Sequence, residues 1–373
     1  MIKYILQKHK MSKLEIKKYL TILYLIFSIY IFLLGIKLIS ISFGLASGNR
    51  IIELMQNVSN PFIGLFIGIL ATSIVQSSSS TTSLTVALVA AGTIKLNLAI
   101  YIVMGANIGT CITNVLVSLS HITRRQEFEH AFSAAIVQNF FNLISVLLIF
   151  PLEYFFGYLT RISSFLTTFM KNIGGLKLLK PIELVTEPIC NLTKSLLGEY
   201  PWIIIIIALF LLFYALKNMV VIIKSLVLEK IKRIFGTYFF KNYFRSMTSG
   251  IVITSIVQSS SVTTSLVVPF AAARILTLDQ IFPYVMGANI GTTVTTLLAS
   301  FSIGSPLGLQ VALAHLIFNV SGIVLITPIK KIPIFLAKKL GHYALKNRLI
   351  PLFYVIIQFF IIPLIFILIF GGK

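Results

Sequence analysis

The sequence predicts an all-α polytopic membrane protein built from two inverted-topology repeats, each with a re-entrant helical hairpin and broken helices. Three observations lead there. Hydrophobic residues fill 57% of the 373 positions and charged residues only 11%, a balance that suits a chain solvated by lipid. One stretch occurs twice, TSIVQSSSSTTSL at Thr72–Leu84 and TSIVQSSSVTTSL at Thr254–Leu266, and each copy leads at the same spacing to MGANIGT, at Met104–Thr110 and Met286–Thr292. At a constant shift of 182, residues 72–119 and 254–301 agree at 27 of 48 positions without a gap. Finally, lysine and arginine gather in short stretches between apolar runs, and placing those stretches in the cytoplasm gives the two copies opposite orientations.

The elements follow from that placement. Residues 1–59 hold a Lys-rich cytoplasmic N-terminus (Lys3–Lys18), a first helix near Tyr19–Phe43 crossing outward, and a neutral external connection at Gly44–Asn60. The apolar run is too long for a leader peptide and lacks a small-residue cleavage site, so it reads as retained. Residues 60–152 form the first repeat. Its half-segments from Pro61 and over Thr81–Ala91 are each too short to span, which predicts a hairpin with Gln76–Ser80 near the tip. A span at Leu98–Leu119, a basic turn at Arg124–Arg125 and a helix at Ala131–Phe150 complete it. Residues 153–200, with Gly174–Gly175, Pro181 and Pro188, read as an external connector, and residues 201–241 supply a span at Trp202–Val221 and a cytoplasmic link at Lys224–Lys241. Residues 242–329 are the second repeat, with a hairpin at Asn242–Ala273 and spans at Ile281–Phe301 and Gln310–Ile329. Residues 330–373 give a basic cytoplasmic loop, Lys330–Arg348, and a last helix, Pro351–Phe370. The similarity extends at a shift of 177 to Phe141–Leu152 and Phe318–Ile329.

The net charge of +21 fixes orientation in this reading and presents no foldable basic surface for nucleic acid. Cys111 lies in a span and Cys190 in a loop, with no metal-ligand spacing and no disulfide expected between them.

Inverted repeats with irregular helices at mid-membrane are a transporter architecture. In QSSS, amide, hydroxyl and carbonyl groups both donate and accept. At the junction of two half-helices the free N–H groups suit an anion and the free carbonyls a hard cation such as Na⁺, so one cluster can hold both. The alternative, hydroxylated residues that only let helices pack closely, is weakened by the doubled motif with its doubled spacing. GANIGT carries a G-x-x-x-G spacing, which alone signals helix contact. Asn107 and Asn289 between the glycines suggest local unwinding beside the site, with Thr110 and Thr292 as ion ligands. Asn142 and Asn319 read equally as caps or helix–helix contacts, and His315, opposite Gln138 in the repeat, as a packed or pore-lining residue. No carboxylate lies in either motif, so neutral oxygens and the substrate itself must hold any cation, and an enzyme needing a membrane-embedded base or metal is disfavoured. A binding protein without flux remains a further class.

At these residues the chain resembles the type II sodium–phosphate cotransporter family, whose signature is a duplicated QSSS in inverted repeats. The resemblance covers roughly residues 60–152 and 242–329. It implies sodium-coupled alternating-access transport of inorganic phosphate, with lipid, phosphate and Na⁺ as partners, no other cofactor and no catalytic residue. It further implies that Gln76, Ser77, Ser78 and Ser79 with Gln258, Ser259, Ser260 and Ser261 form the substrate and sodium region, continued by Thr81, Thr82, Thr263 and Thr264. Alternatives within the same frame are another small oxyanion, or export of phosphate. Many bacterial members continue into a soluble helical regulatory domain and vertebrate members bridge the external loop with cysteines. This chain reads as a bacterial inner-membrane member with a cytoplasmic N-terminus, lacking that domain and with Cys190 unpaired.

Overall fold

Helix starts stand where the sequence supplies a cap. Asn60 Oδ1 accepts from Phe62 N at 2.9 Å ahead of Pro61, and Ser305 Oγ accepts from Gly308 N at 3.4 Å ahead of Pro306. Asn242 Oδ1 caps Arg245 N at 2.9 Å, and Thr277 and Gln280 close a capping box. In the computed structural model, which describes residues 2–46, 58–172, 180–234 and 239–371, the described residues are helices and short turns.

In chain order these are α1 (Ile2–Leu45), α2 (Pro61–Val75), α3 (Ser78–Ala90), α4 (Leu96–Gly109), α5 (Ile112–Leu119), α6 (Arg125–Phe156), α7 (Tyr158–Asn172), α8 (Lys180–Leu197) and α9 (Pro201–Ile234). They continue as α10 (Tyr243–Val257), α11 (Ser260–Ser265), α12 (Val267–Ala272), α13 (Leu278–Ile303), α14 (Pro306–Ile326), α15 (Lys331–Lys346), α16 (Ile350–Ile356) and, after a π-helical turn at Ile357–Ile361, α17 (Ile362–Gly371). Six described segments are long and apolar enough to cross a membrane: Tyr19–Leu45, Leu96–Leu119, Gln126–Phe156, Pro201–Ile222, Pro306–Ile326 and Ile350–Gly371. The chain is an all-α polytopic membrane protein.

Both hairpins form at the expected residues, as α2–α3 and as α10 with α11–α12. The second is interrupted at Leu266, three residues before Pro269, which removes a backbone donor; the first has Ala87 at that place and runs on as one helix. Each hairpin packs its first helix on the GANIGT helix of its own half, α2 on α4 and α10 on α13. Glycine makes that approach possible. A Cβ on Gly105 would lie 1.9 Å from Leu65 O and one on Gly287 2.0 Å from Met247 O, while Gly68 and Gly250 would reach Ile102 O at 2.0 Å and Tyr284 O at 2.1 Å. G-x-x-x-G here is a backbone-to-backbone contact, repeated in the two halves to a tenth of an ångström.

Three expectations change. The GANIGT segments do not unwind. In the first half the helix is interrupted only at Thr110–Cys111, both with helical backbone angles, and in the second α13 runs through without a break. The asparagine amides find acceptors without opening the helix. The basic stretch 330–348 is largely a helix, α15, because Ile334, Ala337, Gly341 and Ala344 recur at helical spacing and bury one face against α6. Cys190 lies in a helix, α8, and is buried; both cysteines are free. The expected external connection over Gly44–Asn60 falls mostly outside the described residues.

Candidate functional site

The chain turns at each hairpin tip through one left-handed residue, and in both halves it is glutamine. Gln76 has φ 56 and ψ 27, Gln258 φ 56 and ψ 25. Ser77 and Ser259 follow in extended conformation and cap the next helix, accepting from Ser80 N at 3.2 Å and Val262 N at 3.4 Å. Gln76 N–H and Gln258 N–H close onto Thr72 O and Thr254 O, each at 2.7 Å, and Thr81 N–H and Thr263 N–H onto Ser77 O and Ser259 O, each at 3.2 Å. The cap occupies one first-turn donor, leaving the N–H groups of the first serines after it without a helical acceptor.

The tips meet. Ser79 Oγ donates to Gln258 O at 3.2 Å across the two halves. Ser77, Ser79, Ser80, Gln258 and Ser259 line a cleft of about 360 Å³ whose opposite wall is α9, through Phe213, Leu216, Lys217 and Val220. Among the described residues that line it, Lys217 is the one charged side chain. Gln258 Oε1 is buried with no donor among the described residues, an arrangement that costs about 1–3 kcal/mol unless a ligand completes it.

The other expected residues sit behind the cleft. Ser78, Ser260 and Ser261 are buried in the first turns. Thr81 Oγ1 returns to Ser77 O at 3.2 Å, and Thr263 pairs with Thr254 at 2.7 Å. Thr110 and Thr292 donate to carbonyls of their own helices, Ala106 O at 3.0 Å and Ala288 O at 2.9 Å, and do not line the cleft. Gln76 is on the exposed side of its tip.

A buried chain of side-chain hydrogen bonds connects the halves. From the second hairpin, Thr264 Oγ1 shares its hydrogen between Ser260 O at 2.6 Å and Asn114 Oδ1 at 3.0 Å, Asn114 Nδ2 donates to Gln138 Oε1 at 2.8 Å and Gln138 Nε2 to Asn289 Oδ1 at 2.7 Å. Asn289 Nδ2 then donates to Asn142 Oδ1 at 2.7 Å and Asn142 Nδ2 to Asn107 O at 2.6 Å. The repeat-related chain starts from the first hairpin: Thr82 and Thr296 share a bond of 2.8 Å, and Thr296 and His315 Nδ1 one of 3.1 Å. There it stops. Asn107 Nδ2 donates to Val103 O at 2.9 Å, Asn319 Nδ2 to His315 O at 3.0 Å, and His315 Nε2 and Asn319 Oδ1 are buried without partners among the described residues.

Sequence reasoning missed Ser80, Lys217, Asn114, Gln138 and Thr296. The signal for Asn114 and Gln138 is that an amide in an apolar span needs a partner; they escape notice because, unlike Asn107 with Asn289 and Asn142 with Asn319, they do not recur as the same residue in the repeat.

Residues 31–180 and 211–337 match the family described as Na⁺/Pi-cotransporter. The chain is 31% identical over 435 residues to sodium-dependent phosphate transport protein 2B of Pongo abelii and to that of Homo sapiens, with 90% of this chain and 63% of each relative covered. It is 30% identical over 420 residues to sodium-dependent phosphate transport protein 2A of Ovis aries, covering 90% of this chain and 65% of the relative. The chain thus spans less than two thirds of the length of these relatives. No solved structure matches it.

Proposed function

The chain belongs to the Na⁺/Pi-cotransporter family, and from that premise we propose that it is a sodium-coupled secondary transporter of inorganic phosphate. The observation that carries the reading is the meeting of the two QSSS tips at Ser79–Gln258 over a cleft lined by neutral oxygen donors. Phosphate would lie on the first-turn N–H groups and the hydroxyls of Ser77, Ser79 and Ser259, where the positive helix end favours an anion. Sodium would take oxygens beside it, and the unpaired Gln258 Oε1 is a ready acceptor of that kind. No carboxylate is among the described residues that line the cleft, so bound Na⁺ and phosphate neutralise each other, and each makes the other's desolvation less costly. This is a physical basis for coupling. Ser78, Ser260, Ser261 and the motif threonines support the tips from behind; Thr110 and Thr292 act through packing.

The inverted topology, the cytoplasmic N-terminus and the inner-membrane location belong to the same proposal, supported by the distribution of lysine and arginine. Lys217, at the end of the Pro201–Ile222 span, then faces the cytoplasm, and the cleft opens inward.

The test is uptake of labelled phosphate into proteoliposomes under an inward Na⁺ gradient, with potassium or choline as control. Sodium-dependent accumulation is expected, together with its loss in Gln258→Ala and Ser79→Ala protein that remains folded. Sodium-independent uptake, or wild-type sodium dependence in both variants, overturns the reading or the site.

A further inference from the structure

The two halves agree at their tips to within a few degrees and at their glycines to a tenth of an ångström, yet their interior hydrogen bonds differ in extent. One chain is complete from Thr264 to the Asn107 carbonyl, whereas its counterpart ends at His315 with two buried polar atoms that find no partner among the described residues. Buried polar groups without partners are rare and costly. Their partner is identifiable from the repeat: Gln138 holds Asn289, so the residue owed to His315 is Asn107, which sits at the equivalent place with its amide turned to Val103 O.

We propose that Gln138 and His315 are positioning residues that act as alternate clasps, one engaged in each of two conformations. In the state seen here Gln138 ties the second hairpin, through Asn114, to the Asn289 helix, and the cleft beside Lys217 is open. In the opposite state Asn107 turns so that its Oδ1 takes the His315 Nε2 proton and its Nδ2 serves Asn319 Oδ1, while Gln138 releases Asn289. His315 is then the tautomer protonated at Nε2, with Nδ1 accepting the Thr296 hydroxyl, so no proton enters or leaves. Each clasp ties the hairpin and the asparagine of one half together through side chains of the other, Asn114 and Gln138 in one case and Thr296 and His315 in the other, so that the two repeats can exchange roles. The inference rests on the transport reading, because it supposes that the halves exchange conformations.

Both native cysteines are buried, and burial pushes the Cys190 thiol pKa up, which keeps it protonated and unreactive at neutral pH. A Val221→Cys reporter on the cleft wall is therefore visible alone to a polar maleimide. Removing the engaged clasp with Gln138→Ala should slow labelling by about tenfold, the shift that two lost buried hydrogen bonds imply. Removing the idle one with His315→Ala should leave labelling as fast as in the parent or faster. His315→Gln, which gives the idle side the amide of the engaged side, should slow labelling and serves if Gln138→Ala does not fold. Slowing by both alanine variants means a merely structural role and overturns the proposal. Insensitivity to all three variants, as a fixed water between His315 and Asn319 would give, overturns it too. The readout needs no phosphate, so it stands or falls separately from the uptake experiment.

Discussion

The two QSSS halves of this molecule are alike where backbone meets backbone and unlike where side chain meets side chain. Tip dihedrals, cap distances and glycine contacts coincide. By contrast, Gln76 is exposed where Gln258 is partly buried, Thr72 Oγ1 has no partner among the described residues where Thr254 bonds Thr263, and the His315 chain stops where the Gln138 chain goes on. Duplication preserved a frame, and that frame tolerates two sets of interior bonds. Backbone approach is fixed by sterics, which admit one answer, whereas amides and hydroxyls can re-pair at small net cost.

That comparison is open to attack, most forcefully at the glycines. Gly105→Ala and Gly287→Ala each drive a methyl into a carbonyl of the neighbouring helix and should cost about 3 kcal/mol or more, to the same extent in both halves. Thermal melting in detergent would show it, and a half that tolerates its alanine would end the equivalence. Next comes the interior. Asn142→Ala strands Asn289 Nδ2 and leaves the Asn107 carbonyl with the weak Cys111 Sγ donor at 3.8 Å, and should cost about 2 kcal/mol. Asn319→Ala gives up only a bond to a carbonyl of its own helix and should melt within about 1 kcal/mol of the parent. Equal losses would mean that the two chains are equally engaged. Smaller still is the electrostatic asymmetry. Lys217→Gln should raise the phosphate KM about fivefold from the face to which the cleft opens, the effect of about 1 kcal/mol of Coulomb attraction, and leave it unchanged from the other face. Transport measured in both directions decides this. The finest contrast is the turn closing each hairpin, left-handed at Gly92 (φ 73) in one half and at Arg274 (φ 57) in the other. Gly92→Ala should lose about 1 kcal/mol, and Arg274→Gly should be close to neutral or mildly stabilising.

Much of this was legible beforehand. Two hairpins with glutamine tips and six of the seven expected spans follow from periodicity, length and self-similarity; the seventh, Ile281–Phe301, lies in the helix α13, which is not among the six described segments long and apolar enough to cross. Unwinding of GANIGT was expected wrongly, because an amide in an apolar helix can be satisfied by a carbonyl one turn back, as Asn107 is by Val103, or by a neighbouring helix, as Asn289 is by Asn142. The connecting chain through Asn114 and Gln138 lay hidden for another reason. The repeat replaces them by Thr296 and His315, so self-comparison sets unlike residues opposite each other and marks no shared partner, and the Gln138–Asn289 bond spans 151 residues of sequence. Lys217 could not be placed from the sequence because a lysine at the end of an apolar run looks alike whether it faces lipid headgroups or a cleft.

The left-handed glutamines carry a last consequence. A glycine would hold φ 56 without the penalty of roughly 1 kcal/mol that a side chain brings there, and either tip would be more relaxed for it. The amide is kept at the expense of the backbone. Gln258→Gly should therefore yield a protein that melts no lower than the parent and transports far less, so that durability and work are set against each other within a single residue.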